Sequence, residues 1–337
     1  MKQRNETYDL MKGIALILMM LCHLVYTEGP VKHFIYSFHM PLFFILAGVF
    51  AKNIEDISSF KDFTLKNAKR LLLPYVATML MLCVWGGIQS IAKHDVSFFL
   101  RHFFSMITAS ADEWNPRWGL INAGPMWFLI ALFWVRELFY GVQRICAHMG
   151  KYRDEMIVGI SIVLSVASVL IHPFTPALPF SILQAFTAMA FYAVGWYVHR
   201  HPQPWWVYAM VVIVWPFAII YGGIGLYSCS VDYYPLSFIG ALGGTYVIYL
   251  LCGGYNKLRM HLSNKLSRKV PSILVWVGLY SLAILCMHEL EMYSDIMYSI
   301  KCRIPSIEGI FGWGEIIIAM IMAFILLKIP YLKEIYK

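Results

Sequence analysis

Charge is the scarcest ingredient of this 337-residue chain: only 14% of its residues are Asp, Glu, Lys or Arg, against 60% hydrophobic ones. With a mean hydropathy of +0.64, a soluble protein of this length could not hide its apolar surface, and the expected class is a polytopic membrane protein. The seven cysteines contain no CxxC pair and no Cys/His spacing of the zinc type, so no metal is expected. Cys229 and Cys302 fall in loops placed on one side, where a disulfide is conceivable. No small-residue cleavage site follows the first apolar run, which is therefore read as a retained span. Internal repeats, low-complexity tracts and interdomain linkers are also lacking, so residues 1–337 are read as one membrane-embedded domain. The net charge of +8 does not indicate nucleic acid in so apolar a chain; its distribution among the loops carries the information.

Ten apolar runs have transmembrane length: 10–27, 34–51, 71–92, 124–145, 156–172, 179–199, 205–222, 233–253, 273–291 and 309–328. The runs at 205–222 and 233–253 are the weakest, being interrupted by Pro216 and by glycines. With a cytoplasmic N-terminus, 21 of the 27 lysines and arginines fall on the inner side, as the positive-inside rule requires. The expected fold is an all-α bundle of about ten transmembrane helices with both termini cytoplasmic. An amphipathic helix is expected over "VSFFLRHFFSMI" (96–107), with Arg101 and His102 on its polar side.

Ionisable groups within such spans are costly and mark candidate functional sites. The first run places Lys12 eleven residues before His23. On one helix that spacing returns to within roughly 20° of the same face and covers about 16 Å of rise. Asp9, one turn before Lys12, can pair with it. His39 opens the second run just before Pro41, a residue that loosens the local hydrogen-bond ladder. His288 and Glu289 lie at the outer end of the ninth run. Trp127 and Phe128, at the outer start of the fourth, could floor a sugar-binding cavity. Arg136 lies about 18 Å further along that helix, at much the depth of Lys12. Lys69 and Arg70 sit in a basic loop before a helix expected to begin near Pro74, and a fork-shaped cation there suits phosphate. The plainer readings remain open: Lys12 as an inner-rim anchor, His23 as a histidine bonded to a neighbouring helix, Trp127 as part of an interfacial aromatic belt.

A basic rim on one side, and histidines about 16 Å away on the other, suit a donor with an anionic head and a long arm, such as coenzyme A. The stretches "YDLMKGIALILMMLCH", "FHMPLFFILAG", "KRLLLPY", "PMWFLIALFW" and "GLYSLAILCMH" resemble the successive motifs of the acyltransferase-3 family, and FHMPLFF its fucose 4-O-acetylase-like branch. That resemblance implies an integral membrane O-acetyltransferase of the bacterial cytoplasmic membrane. It would move acetyl from cytoplasmic acetyl-CoA to a surface or lipid-linked saccharide, without a C-terminal accessory domain. It implies His23 as the catalytic base, with His39 and Asp9 in support. Lys12, Lys69, Arg70 and Arg136 would hold the donor, and Trp127, Phe128, His288 and Glu289 the acceptor. Two departures stand out. Lys12 occupies a usually arginine position, and the two arginines expected three residues apart are reduced to Asn67 and Arg70. On the residues alone a transporter or flippase with a histidine proton relay is the rival class, although no pair of broken helices is visible in the two halves. A receptor without chemistry is the third.

Overall fold

The computed structural model describes residues 5–24, 29–111, 122–175, 178–262, 273–293 and 311–336. Within them the chain is helical throughout, apart from one two-stranded ribbon: α1 (Glu6–Leu24), α2 (Pro30–Tyr36), α3 (His39–Val49), α4 (Phe60–Lys93), α5 (Ser97–Thr108), α6 (Trp127–Ile145), α7 (Arg153–Ile171), α8 (Ile182–Arg200), α9 (Trp205–Tyr221), β1 (Gly223–Gly225), β2 (Ser230–Asp232), α10 (Tyr234–Leu262), α11 (Ile273–Leu279), α12 (Ser281–Tyr293), α13 (Phe311–Leu326) and α14 (Pro330–Ile335).

Among the described residues five helices are long and apolar enough to cross a membrane: Phe60–Lys93, Gly124–His148, Gly150–Phe174, Pro179–Arg200 and Tyr234–Arg259. A sixth span arises if α11 and α12, bent by 85° at Tyr280, are counted as one. Along α7, burial runs opposite to that of a helix in a soluble bundle. Val163 and Leu170 face outward while Ser161, Ser165 and Ser168 are enclosed. Ser165 donates to the Thr187 carbonyl at 2.6 Å and accepts from the Tyr234 hydroxyl at 2.7 Å, joining α7, α8 and α10. Hydroxyls in the bundle and aliphatic chains outside it are the arrangement lipid favours. The chain is an all-α, multi-pass membrane protein.

Two crossings bring backbones into contact. A Cβ on Gly13 would lie 2.1 Å from the Leu274 carbonyl oxygen, and one on Gly278 would lie 1.6 Å from that of Asp9, so α1 and α11 touch where only glycine fits. Gly48 and Gly195 do the same between α3 and α8, at 2.0 Å from Tyr192 O and 2.1 Å from Ile45 O. Leu16 and Met19 of α1 share a core with Leu71 and Tyr75 of α4 and Ile284 of α12. A second core surrounds α8, where the Phe139 ring meets Tyr192 and Trp196 edge-on.

Four expectations change. The basic stretch before Pro74 is a helix. Ser59 caps α4 by accepting from the Asp62 N–H at 3.3 Å, and the helix runs through Pro74, with Thr78 Oγ1 bonded to the Pro74 carbonyl at 2.8 Å. Pro216 likewise lies inside the continuous α9. Proline is tolerated here because a membrane helix has no aqueous alternative for its backbone. Unbroken spans were also expected, yet 34–51 breaks at Ser37–Phe38 and 273–291 bends at Tyr280. Hydropathy is blind to both breaks because the apolar run continues through them. Pro41 is not the cause of the first: it sits in the opening turn of α3, where no intrahelical donor is needed. Finally, α5 is rotated. His102 is buried, edge-on to Tyr293 at 5.1 Å, while Leu100, Phe103, Phe104 and Ile107 are exposed. Burial, and then the neighbouring Arg101 charge, lower the His102 pKa below the ordinary histidine value.

Candidate active site

The functional candidates divide between the two ends of α1. At its start, Lys12 Nζ lies 2.8 Å from Asp9 Oδ1, with the two side chains 26% and 5% exposed. The pair is an i, i+3 contact on the helix face, held in place by the Gly13–Gly278 crossing on the same turn. The beginning of α1 is also latched to the end of α10, through a Glu6–Arg259 ion pair and Asn256 Nδ2 donating to Thr7 Oγ1 at 3.1 Å.

At the same end, α4 and α6 meet through a carboxylate. Glu137 Oε1 accepts from Asn67 Nδ2 and Oε2 from Thr64 Oγ1, each at 2.7 Å. This sets residues 136–137 level with 64–67, beside Lys69 and Arg70, which are exposed on α4. Arg136 turns away from Glu137, as adjacent residues on a helix must, and reaches the Tyr192 hydroxyl on α8. Arg200 is committed to the framework, donating to Asn53 Oδ1 at 2.9 Å and to the Ala51 carbonyl at 2.6 Å. His201 Nε2 contacts Asp154 Oδ2 at 2.8 Å.

At the other end, α1 continues without interruption to Leu24, so Lys12 and His23 remain on one helix. The side chain of His23 lies outside the described residues. His39 is the first residue of α3 and is buried; its Nδ1 lies 2.9 Å from the Ile35 carbonyl, and its ring meets Tyr36 edge-on at 5.0 Å. His288 and Glu289 are 0% and 1% exposed on α12 rather than at an open end. The Glu289 carboxylate packs on Gly124, where φ is +49° and an added Cβ would lie 2.5 Å from both carboxylate oxygens. Trp127 is buried in the α8 core, and Phe128 is wedged between Phe43 and Phe44 at 5.6 and 5.2 Å. Those two rings pack the start of α6; they do not line the cavity of about 470 Å³ at this end, which lies between α2, the end of α9 and the β1–β2 ribbon.

The structure pairs Asp9 with Lys12 on α1 and sets Arg136 level with the start of α4 that carries Lys69 and Arg70. It buries His39 at the start of α3, encloses Trp127, His288 and Glu289, and half-buries Phe128. Sequence reasoning missed the Glu137–Asn67–Thr64 cluster. Its trace in the sequence was an uncharged Asn67 among cations. The pairing with position 137, seventy residues away, left none. Cys302, and with it the expected Cys229–Cys302 pair, lies outside the described residues. Among the described residues no group of three His, Cys, Asp or Glu side chains is placed to hold a metal.

A multi-pass helical membrane protein with cations at one end of a helix and histidines toward the other is the class these features define. The acyltransferase-3 family profile, described as an acyltransferase domain, matches residues 5–330, and the chain belongs to that family. Nodulation protein NolL of Sinorhizobium fredii (strain NBRC 101917 / NGR234) is 30% identical over 149 residues, covering 40% of this chain and 37% of NolL. No solved structure matches.

Proposed function

We propose that the chain is an O-acetyltransferase of a bacterial cytoplasmic membrane, moving acetyl from cytoplasmic acetyl-CoA to a hydroxyl of a surface or lipid-linked saccharide. The observation that carries this reading is α1: within a chain of the acyltransferase-3 family, one unbroken helix bears the Asp9–Lys12 pair and, eleven residues on, His23. Eleven residues span about 16 Å, comparable to the reach of a pantetheine arm. Lys12, Lys69, Arg70 and Arg136 hold the donor's phosphates, and Asp9 fixes the lysine that anchors them. Arg70 contributes a planar fork and the lysines point charges.

His23, as neutral imidazole, accepts the proton of the acceptor hydroxyl while its oxygen attacks the thioester carbonyl carbon. The new C–O bond forms, the C–S bond breaks, and the proton passes to the departing thiolate, leaving the ester and CoA thiol. His39 orients this step from α3. A general base contributes about 10²–10⁴-fold. With ten spans and both termini in the cytoplasm, residues 1–337 form the single domain in which donor and acceptor meet from opposite sides.

The test is the base-labile O-acetyl content of surface glycans, by mass spectrometry, in wild-type, deletion and His23→Ala strains at matched expression. Loss of one acetyl mass in both deletion and His23→Ala is expected. Three identical glycan profiles would sink the reading; loss in the deletion alone would remove His23 from the chemistry.

A further inference from the structure

The outward cavity is bounded by elements that fasten to one another with their own polar groups. Trp215 Nε1 donates to Ser37 Oγ at 2.9 Å, tying α9 to the break before α3. The ribbon pairs Gly223 with Asp232 and Gly225 with Ser230. Ser237 Oγ accepts from the Gly223 N–H at 3.1 Å, and Gln184 Nε2 donates to the Tyr227 carbonyl at 2.9 Å. The groups that face the opening differ. The Asp232 carboxylate and the Ser230 hydroxyl make no hydrogen bond or ion pair among the described residues, and Lys32 Nζ lies only over the Tyr36 ring, 5.6 Å from its centroid. Framework groups are satisfied within the protein, while Asp232 and Ser230 are exposed at the rim and open to a ligand's hydroxyls.

The rim chemistry selects among ligands. A carboxylate at Asp232 accepts hydrogen bonds from two hydroxyls at once, and Lys32 in the same lining can donate to another. The rings of Tyr36 and Tyr227 offer an apolar face with a polar tip. About 470 Å³ lies within the range of roughly 300–1,000 Å³ usual for small-molecule sites. The cavity also joins the candidate chemistry: Tyr36 lines it, meets the His39 ring edge-on at 5.0 Å, and lies beside Cys22, the α1 residue preceding His23.

Building on the saccharide-acceptor reading above, the geometry points to this cavity as the acceptor site, where Asp232 binds vicinal hydroxyls of a pyranose ring stacked on Tyr227 and Tyr36. Bound in this way, the ring presents a further hydroxyl past Tyr36 toward the ends of α1 and α3. Trp127, Phe128 and His288 then shape the bundle behind the site without touching the sugar.

The full-length chain in detergent, with acetyl-CoA as donor and the methyl glycosides of galactose, fucose, glucose and N-acetylglucosamine as acceptors, tests this. Asp232→Asn and Tyr227→Ala are each expected to raise the glycoside KM about tenfold with the acetyl-CoA KM held at the parent value. An unchanged glycoside KM in both variants overturns the site, and so does an equal rise in the two KM values, which would signal a collapsed fold. Saturation-transfer difference NMR with the same glycosides reads binding without turnover. If the parent acetylates none of them, the acetyltransferase reading fails, while a glycoside signal present in the parent and lost in both variants still upholds the cavity. Equal signals in all three chains, or none in the parent, overturn it.

Discussion

The two ends of α1 are built on opposite principles. At its start, polar side chains satisfy one another: Lys12 with Asp9, Arg259 with Glu6, and Glu137 with Asn67 and Thr64. Toward its other end, the framework is held by hydroxyl and indole bonds, while the Asp232 carboxylate and the Ser230 hydroxyl at the cavity rim are exposed and make no side-chain hydrogen bond among the described residues. A cation-bearing surface meant for a charged donor must keep its own charges positioned when empty, because an unpaired charge in a low-dielectric setting costs several kcal/mol. A site meant for a neutral, hydroxyl-rich ligand is under no such constraint, since water at the mouth satisfies hydroxyls and an exposed carboxylate at little cost. On the proposed reading, stability is concentrated at the first end and ligand selectivity at the second.

The change expected to break this contrast most severely is Gly278→Ala. Its new methyl would sit 1.6 Å from the Asp9 carbonyl oxygen, on backbone that cannot step aside, forcing α11 off α1. Overpacking costs about 1–3 kcal/mol, occasionally more, and the upper end is expected here, read as lost folded yield and a lowered Tm in detergent. A Tm equal to that of the parent would mean that α1 and α11 are not in backbone contact.

Lys12→Met should cost less, on the order of 2 kcal/mol. It removes the cation 2.8 Å from the nearly enclosed Asp9 carboxylate, and partial exposure of the pair screens the loss below the 3–5 kcal/mol typical of fully buried partners. Adding Asp9→Asn to Lys12→Met should recover part of the Tm, because a buried charge that has lost its lysine disappears. Additive losses in this double-mutant cycle would show that the pair contributes no coupling.

The smallest effect is a pH dependence. The folded chain holds His102 below the pKa of about 6.5 expected when unfolded, so the unfolded state binds more protons in that range. Stability from this residue is present above about pH 6.5 and is lost as pH falls through that value. His102→Phe should flatten that part of a Tm-versus-pH curve measured between pH 7.5 and 5. A parent curve already flat there would place His102 in water rather than against Tyr293.

Much of the bundle was legible because lipid imposes a simple rule: backbone polar groups must be satisfied within the segment, so apolar runs of sufficient length become helices. The α4, α6, α7, α8 and α10 spans follow it. The Asp9–Lys12 pair was legible too, since i, i+3 proximity is a property of one helix. What failed did so where a side chain's surroundings, not its type, set the outcome. His102 looked like part of a polar face, yet turns inward because Gly86 on α4 leaves room for its ring. Trp127 and Phe128 looked like a platform; Trp127 is buried in the core around α8, and Phe128 packs on Phe43 and Phe44 of α3.

Sequence alone thus determined the class of the protein, its family, and the single helix that bears Lys12 and His23, because hydropathy, motif order and helical period are local. Only the tertiary structure decided that Glu137 joins Asn67 across seventy residues, that Tyr336 reaches Thr78 at 3.0 Å within the bundle, and that a glycine-rich ribbon frames a polar cavity beside His39. Those juxtapositions depend on how helices cross, and crossing geometry is set by which backbones approach closely at glycines far apart in the chain.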